Sequence, residues 1–261
     1  MSELILETRG LTCRFGGLVA VNKVDLSVRR GEVRGLIGPN GAGKTTFFSL
    51  VTGALKPSAG KVLFEGNDIT GRPTNEIVGR GLVRTFQRSA VFHGFSVAEN
   101  LILAQHRNVR ETPWSITFGN GARSRAKHER RAREILAFVG LEEYAEEMAE
   151  SLPLGHQRSL GLAIALATGP TLMMLDEPAA GMNDTESAEL GKLIQRIRRE
   201  LGITVVLVEH DMKTVMGVCD SISVIEFGTL IAEGLPETIV NDPNVIEAYL
   251  GKENWEEELR A

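Results

Sequence analysis

A glycine-rich loop between a short apolar strand and a helix constrains this chain more than any other feature. Residues 32–37 form an apolar run of strand length, residues 38–46 follow as Gly-Pro-Asn-Gly-Ala-Gly-Lys-Thr-Thr, and apolar residues 47, 48, 50 and 51 then have helical spacing. Glycines let successive backbone N–H groups turn inward around phosphate oxygens, and the start of the helix adds its positive end. The spacing Gly-x4-Gly-Lys-Thr is the P-loop pattern and predicts a nucleotide phosphate site in an α/β fold.

Each residue of this loop has a predicted role. Lys44 is expected to reach the β and γ phosphates, the Thr45 hydroxyl to bind Mg²⁺, and Thr46 to add a phosphate contact. The other predicted phosphate contacts come from Gly38, Pro39, Asn40, Gly41, Ala42 and Gly43.

A second strand end carries two carboxylates. Residues 171–175 and 204–208 are apolar runs of strand length, and apolar residues at 190, 193, 194, 197 and 201 mark one face of a helix between them, which predicts a βαβ unit. Asp176 is the expected partner of Mg²⁺ through water, and Glu177 is the expected acceptor of a proton from the water that attacks the γ phosphate.

Two other polar residues are candidates for the same site. His210 follows the second apolar run and is expected at the same sheet edge, where it would hydrogen-bond the γ phosphate, although a histidine at a strand end can also be structural. Gln87 lies where the β pattern gives way to helix-forming sequence, and its amide is expected to join metal and water to a neighbouring subdomain.

The rest of the sequence predicts an antiparallel β region and a helical region. Residues 4–28 alternate as three short antiparallel strands, whereas residues 88–166 are charged and helix-forming. The basic stretch 107–133 is expected to be solvated helix surface, with a membrane-headgroup or partner contact as the alternative. A single domain is predicted over residues 1–251, with its helical subdomain at about 88–166 and a polar tail at 252–261.

Composition excludes several classes of protein. The net charge of -5 gives no general attraction for nucleic acid, and 43% hydrophobic residues are typical of a globular protein. Cys13 and Cys219 are far apart in sequence and predict neither a disulfide framework nor a zinc site, which fits a reducing cytoplasm. No apolar run reaches the ~18 residues of a membrane helix, so any membrane role is expected from outside the bilayer.

Together, residues 38–46, 87, 152–158, 172–177 and 210 resemble the motifs of an ATP-binding cassette (ABC) transporter ATP-binding subunit, over nearly the whole chain. The resemblance implies ATP and Mg²⁺ as cofactors. It also implies a P-loop NTPase core with a parallel sheet, an N-terminal antiparallel β subdomain and a helical signature subdomain.

The resemblance adds site residues to those predicted from the loop and strand ends. Gly155 and Gln157 would belong to a signature loop that caps the γ phosphate of ATP held by a partner subunit, and Phe15 would stack on adenine, or else be a core residue. The sequence departs from the family at Pro153, where the family usually has Ser, and at Asn183, where a dimer-contacting loop normally ends in Asp.

Finer motifs resemble the ATPase of branched-chain (hydrophobic) amino-acid importers, notably Val-Glu-His-Asp at 208–211 and the end at residues 245–251. The implied partners are a second ABC ATPase subunit, identical or homologous, two transmembrane permease subunits and, indirectly, a periplasmic or extracellular solute-binding protein. The implied location is the cytoplasmic face of the membrane. The alternatives are a urea or amide importer, a lipopolysaccharide exporter, or a soluble ABC ATPase without a transport role.

Overall fold

The computed structural model describes residues 3–85, 91–105, 120–209 and 211–250, and those residues contain ten strands in two sheets. The strands are β1 (Leu4–Phe15), β2 (Leu18–Arg29), β3 (Val33–Ile37), β4 (Ala59–Phe64), β5 (Asn67–Asp68), β6 (Leu82–Arg84), β7 (Leu172–Asp176), β8 (Thr204–Val208), β9 (Ser221–Glu226) and β10 (Thr229–Gly234). The α-helices of the same residues are α1 (Lys44–Val51), α2 (Thr74–Gly79), α3 (Val97–Gln105), α4 (Asn120–Val139), α5 (Leu154–Ala167), α6 (Asp184–Leu201), α7 (Met212–Val218), α8 (Pro236–Ile239) and α9 (Pro243–Leu250).

The larger sheet has six strands in the order β10-β9-β3-β8-β7-β6, and the predicted strands β3, β7 and β8 lie at its centre. Its neighbours pair in parallel except β9 and β10, which are antiparallel. Every residue of β3, β7 and β8 is buried, and alternate residues enter the apolar cores on opposite faces of the sheet. The continuous apolar runs are therefore explained by burial on both faces.

The smaller sheet is antiparallel, with the order β2-β1-β4-β5. The prediction of three short strands at residues 4–28 was wrong, because the segment forms two long strands of 12 residues each. β1 continues past Gly10, where the pairing with β2 shifts register between Thr8 and Leu11, so a bulge absorbs the break in alternation. The predicted N-terminal antiparallel sheet and the parallel core sheet are both confirmed.

The helices α3, α4 and α5 pack together in the described part of the charged middle region. Their apolar residues, including Leu101, Leu136 and Leu160, join the core on one face of the large sheet, whereas Phe47 and Phe48 of α1 fill the core on the other face. The tail expected at 252–261 lies outside the described residues. No helix in the described part of the chain has the length and apolarity needed to span a membrane.

Candidate functional site

The loop between β3 and α1 has the backbone shape of a phosphate cradle. Gly43 precedes α1 with φ 104°, and a Cβ at that position would overlap the carbonyl oxygen of Ala20. A Cβ at Gly38 would likewise overlap the carbonyl oxygen of Ile225. Both positions therefore require glycine, because any side chain would push the loop off the neighbouring hairpins.

Lys44 stands at the first position of α1 and is 6% exposed. Its Nζ donates to the carbonyl oxygens of Gly38 and Pro39, at 2.7 Å and 2.9 Å, so the ammonium lies inside the loop that it closes. Burial lowers the pKa of Lys44, while the carboxylates of Glu177 and Asp176 act against that shift. These carboxylates are therefore close enough to interact electrostatically with the loop cation.

A pocket of about 440 Å³ opens over this loop. Its lining contains the predicted residues Phe15, Asn40, Gly41, Ala42, Gly43, Lys44, Thr45, Thr46 and Glu177. Phe15 lines the pocket and is half exposed, so it is not a core residue. The structure thus brings Lys44, Thr45 and Glu177 together with an aromatic side chain on which a base can stack, whereas Asp176 is not among the residues that line this pocket.

Asp176 ends β7 and is bound by Arg84, which was not predicted as a site residue from the sequence. Arg84 ends β6, and its Nη2 donates to Oδ2 of Asp176 at 2.5 Å while its Nη1 donates to Oγ of Ser49 on α1 at 3.0 Å. The guanidinium also lies over the Phe48 ring, 5.7 Å from its centroid. The pair therefore joins β6, β7 and the helix of the phosphate loop.

Glu177 follows with a left-handed backbone, at φ 49°. Its N–H still donates to the carbonyl oxygen of Val208 at 2.9 Å, so the ladder between β7 and β8 extends one residue before the chain turns. The turn separates the two neighbouring carboxylates, since Asp176 stays in the strand and is buried while Glu177 is partly exposed and lines the pocket.

A magnesium ion fits the chemistry of these side chains. The described residues contain no cluster of three or more His, Cys, Asp or Glu able to hold a metal on their own. Mg²⁺ is usually bound by one or two protein oxygens together with waters and substrate phosphates. The Thr45 hydroxyl at the pocket and the Asp176 carboxylate supply this kind of oxygen ligand.

Gly155 and Gln157 lie elsewhere, at the start of α5. Gly155 lines a different cavity, of about 660 Å³, together with Pro153 and His156. The Gln157 side chain donates to the carbonyl oxygen of Leu152 at 2.9 Å, so its amide supports the turn before α5. The same chain therefore does not bring these two residues into the pocket over its own phosphate loop.

Pro153 occupies the N-cap of α5, with φ −55° and ψ 153°. Its carbonyl oxygen accepts the Gln157 N–H at 2.9 Å, so the first helical bond forms, and a proline at a helix start removes no intrahelical donor. Asn183 is the N-cap of α6, where it forms a capping box with Glu186. The Asn-x-x-Glu spacing is typical of this cap, which was not predicted from the sequence.

Two predicted residues, Gln87 and His210, lie outside the described residues. Their roles stay predictions. Cys13 and Cys219 are free and buried, as expected for a chain without a disulfide framework.

A P-loop whose lysine is enclosed, next to a strand end with two consecutive carboxylates, is the arrangement of a P-loop nucleoside triphosphatase. The family model described as "ABC transporter" matches residues 21–180, and one described as "Branched-chain amino acid ATP-binding cassette transporter" matches residues 229–253. The chain therefore belongs to the ABC transporter family, as its ATPase component.

Similar proteins cover the chain almost completely. It is 45% identical over 254 residues to the high-affinity branched-chain amino acid transport ATP-binding protein LivG of Salmonella typhimurium, which covers 97% of this chain and 100% of LivG. It is 46% identical over 256 residues to BraF of Pseudomonas aeruginosa, described as the same kind of protein, with the same coverage. A solved nucleotide-free ATP-binding cassette from an ABC transporter has a TM-score of 0.83 at 31% identity, over 95% of this chain and 100% of that one.

Proposed function

We propose that this chain is the ATP-hydrolysing subunit that powers import of branched-chain amino acids, or of similar small solutes, through a membrane ABC transporter. The main support for this proposal is the pocket that Lys44, Thr45 and Glu177 line together. The names of LivG and BraF support the choice of substrate class, because the similarity extends over nearly all of each protein.

The geometry of the pocket supports a role for each of its residues. The Lys44 ammonium, already enclosed by loop carbonyls, would neutralise charge on the β and γ phosphates. Phe15, which lines the pocket, would stack on adenine. The Glu177 carboxylate lines the same pocket and would accept the proton of the attacking water. A bound Mg²⁺, held by Thr45 and by Asp176 through water, would supply charge neutralisation at the phosphates.

The separation of the two half-sites supports a second ATPase subunit as a partner. Gly155 and the P-loop line different cavities, so a signature loop on this chain would serve ATP held by a second ABC ATPase subunit. Two permease subunits and a solute-binding protein would complete the importer, and the chain would attach peripherally to the cytoplasmic face of the membrane. Nucleic acid is not an expected partner at a net charge of -5.

The test has a biochemical part and a cellular part. The purified chain should release phosphate from ATP with Mg²⁺, and Lys44→Ala should lose most of its ATP binding because the loop cation is gone. Cells that lack the gene should lose uptake of labelled leucine and regain it with the wild type but not with Lys44→Ala. Normal leucine uptake in those cells, with a loss of urea or amide uptake, would overturn the substrate class.

A further inference from the structure

Glu209 is a buried carboxylate next to the pocket that has no role in the function described so far. It lies between the last residue of β8 and His210, and it is 4% exposed. Its Oε1 accepts the N–H of Ala179 at 2.7 Å. Because Ala179 is itself only 7% exposed, water cannot readily replace Glu209 as the acceptor of this N–H.

This contact begins where the backbone ladder between β7 and β8 ends. Glu177 donates its N–H to Val208, and its left-handed φ of 49° then turns the chain away from β8. The backbone cannot continue the pairing beyond that turn. The Glu209 side chain accepts the Ala179 N–H instead. It therefore adds one more hydrogen bond between the segments that follow the two strands.

The attached segment, residues 177–183, is the loop that holds Glu177 at one end and the N-cap of α6 at the other. Two turns shape it: Ala180 N–H donates to the carbonyl of Glu177 at 3.2 Å, and Met182 N–H donates to that of Ala179 at 3.0 Å. On its other side, Arg158 of α5 donates to the carbonyl oxygen of Ala180 at 3.3 Å. The loop is therefore held between the end of β8 and the helix that carries Gly155.

We propose that Glu209 is a positioning residue for ATP hydrolysis, which fixes the loop of residues 177–183 and thereby the direction of the Glu177 carboxylate. This inference rests on the proposed ATPase function. Glu209 itself is not among the residues that line the nucleotide pocket, so its loss should slow turnover and leave nucleotide binding almost unchanged.

Variants of similar size distinguish the role of Glu209 as a hydrogen-bond acceptor from its role in filling space. Glu209→Met keeps the length of the side chain without an acceptor, whereas Glu209→Gln keeps an acceptor oxygen without the charge. Thr204→Val is the control, because the Thr204 hydroxyl accepts the Gly31 N–H at 2.9 Å and is equally buried, at the opposite end of β8. It removes a comparable bond far from the loop.

The experiment measures ATP hydrolysis and ATP affinity of the purified full chain, together with amide hydrogen exchange of residues 179–182. Glu209→Met should lower kcat at least ~10-fold, change ATP affinity less than ~3-fold, and speed exchange at Ala179. Glu209→Gln should stay within ~3-fold of wild type in kcat and keep the protection, and Thr204→Val should change neither. If the Met variant fails to fold, Glu209→Asp, which withdraws the acceptor by one methylene, should still lower kcat.

Three results would decide against the proposal. Near-wild-type kcat in Glu209→Met with a freely exchanging Ala179 amide would show that the bond has no part in turnover. Equal losses in Glu209→Met and Thr204→Val would show a role in general stability only. A wild-type chain that binds ATP but does not hydrolyse it would overturn the ATPase function itself, and this role with it.

Discussion

Replacing Arg84 by methionine should destabilise the fold more than removal of a surface cation would. Arg84 and Asp176 form a 2.5 Å ion pair in which the side chains are only 12% and 5% exposed, and Arg84 also donates to Ser49. Removing one partner of a buried pair typically costs ~3–5 kcal/mol, because the other charge is left without compensation. Lys44 lies close enough to Asp176 to offset part of this cost, so we expect a loss of ~3 kcal/mol, at the lower end of that range.

Urea unfolding in the presence of EDTA and without nucleotide measures this loss. A double-mutant cycle with Asp176→Asn isolates the pair, because the double variant has neither of its two charges and should be more stable than Arg84→Met alone. Arg72→Met is the matched control, since its 3.2 Å pair with Glu76 is about half exposed and should contribute less than ~1 kcal/mol. A loss below ~1 kcal/mol for Arg84→Met, or a double variant no more stable than it, would refute the reasoning.

Three further predictions concern the site and the core. Glu177→Gln should keep ATP bound but slow phosphate release ~10²-fold or more, the range for a lost proton acceptor, and wild-type turnover would exclude Glu177 as the base. Pro153→Ser should change hydrolysis by the assembled transporter less than ~10-fold, because one neutral hydrogen bond contributes ~1 kcal/mol, whereas Gly155→Asp should abolish it. A Cβ at Gly155 already lies 3.3 Å from Oε1 of Glu186, so the new carboxylate would also meet a like charge. Burial raises the pKa of Cys219 to about 12, so the folded thiol stays protonated while the unfolded one ionises above its ordinary pKa of 9.0. Stability should therefore fall as pH rises above that value, by up to ~1.4 kcal/mol per pH unit, and urea midpoints of the wild type should decline more steeply than those of Cys219→Ala.

The local sequence pattern was sufficient to predict the elements whose buried residues recur at a regular spacing. The apolar runs of β3, β7 and β8 and the helical spacing of α6 are visible without tertiary information, because burial on two faces or on one stripe leaves a fixed period. The strands β4, β5, β6, β9 and β10 and the helices α2, α7, α8 and α9 were not predicted. Several are only two or three residues long or carry exposed residues, so their pairing partners decide their structure.

The part of the site that is formed by one continuous stretch of sequence was predictable. The phosphate loop needs glycines, a lysine and a following helix in a fixed order, so the sequence sufficed for it. Arg84 and Glu209 were missed because each meets its partner across the sheet, 92 residues away for Asp176 and 30 for Ala179. A lone Arg or Glu at a strand end carries no local mark of such a contact.

At Glu177, the left-handed backbone favours a different residue from the one that the proposed proton transfer needs. Glycine reaches a positive φ without the steric cost that a Cβ imposes, on the order of 1 kcal/mol, so the fold alone would favour glycine there. A library of this chain selected only for survival on heating should therefore accumulate glycine at position 177. One selected for growth on a scarce transported solute should retain the carboxylate, and the two selections should diverge at this residue.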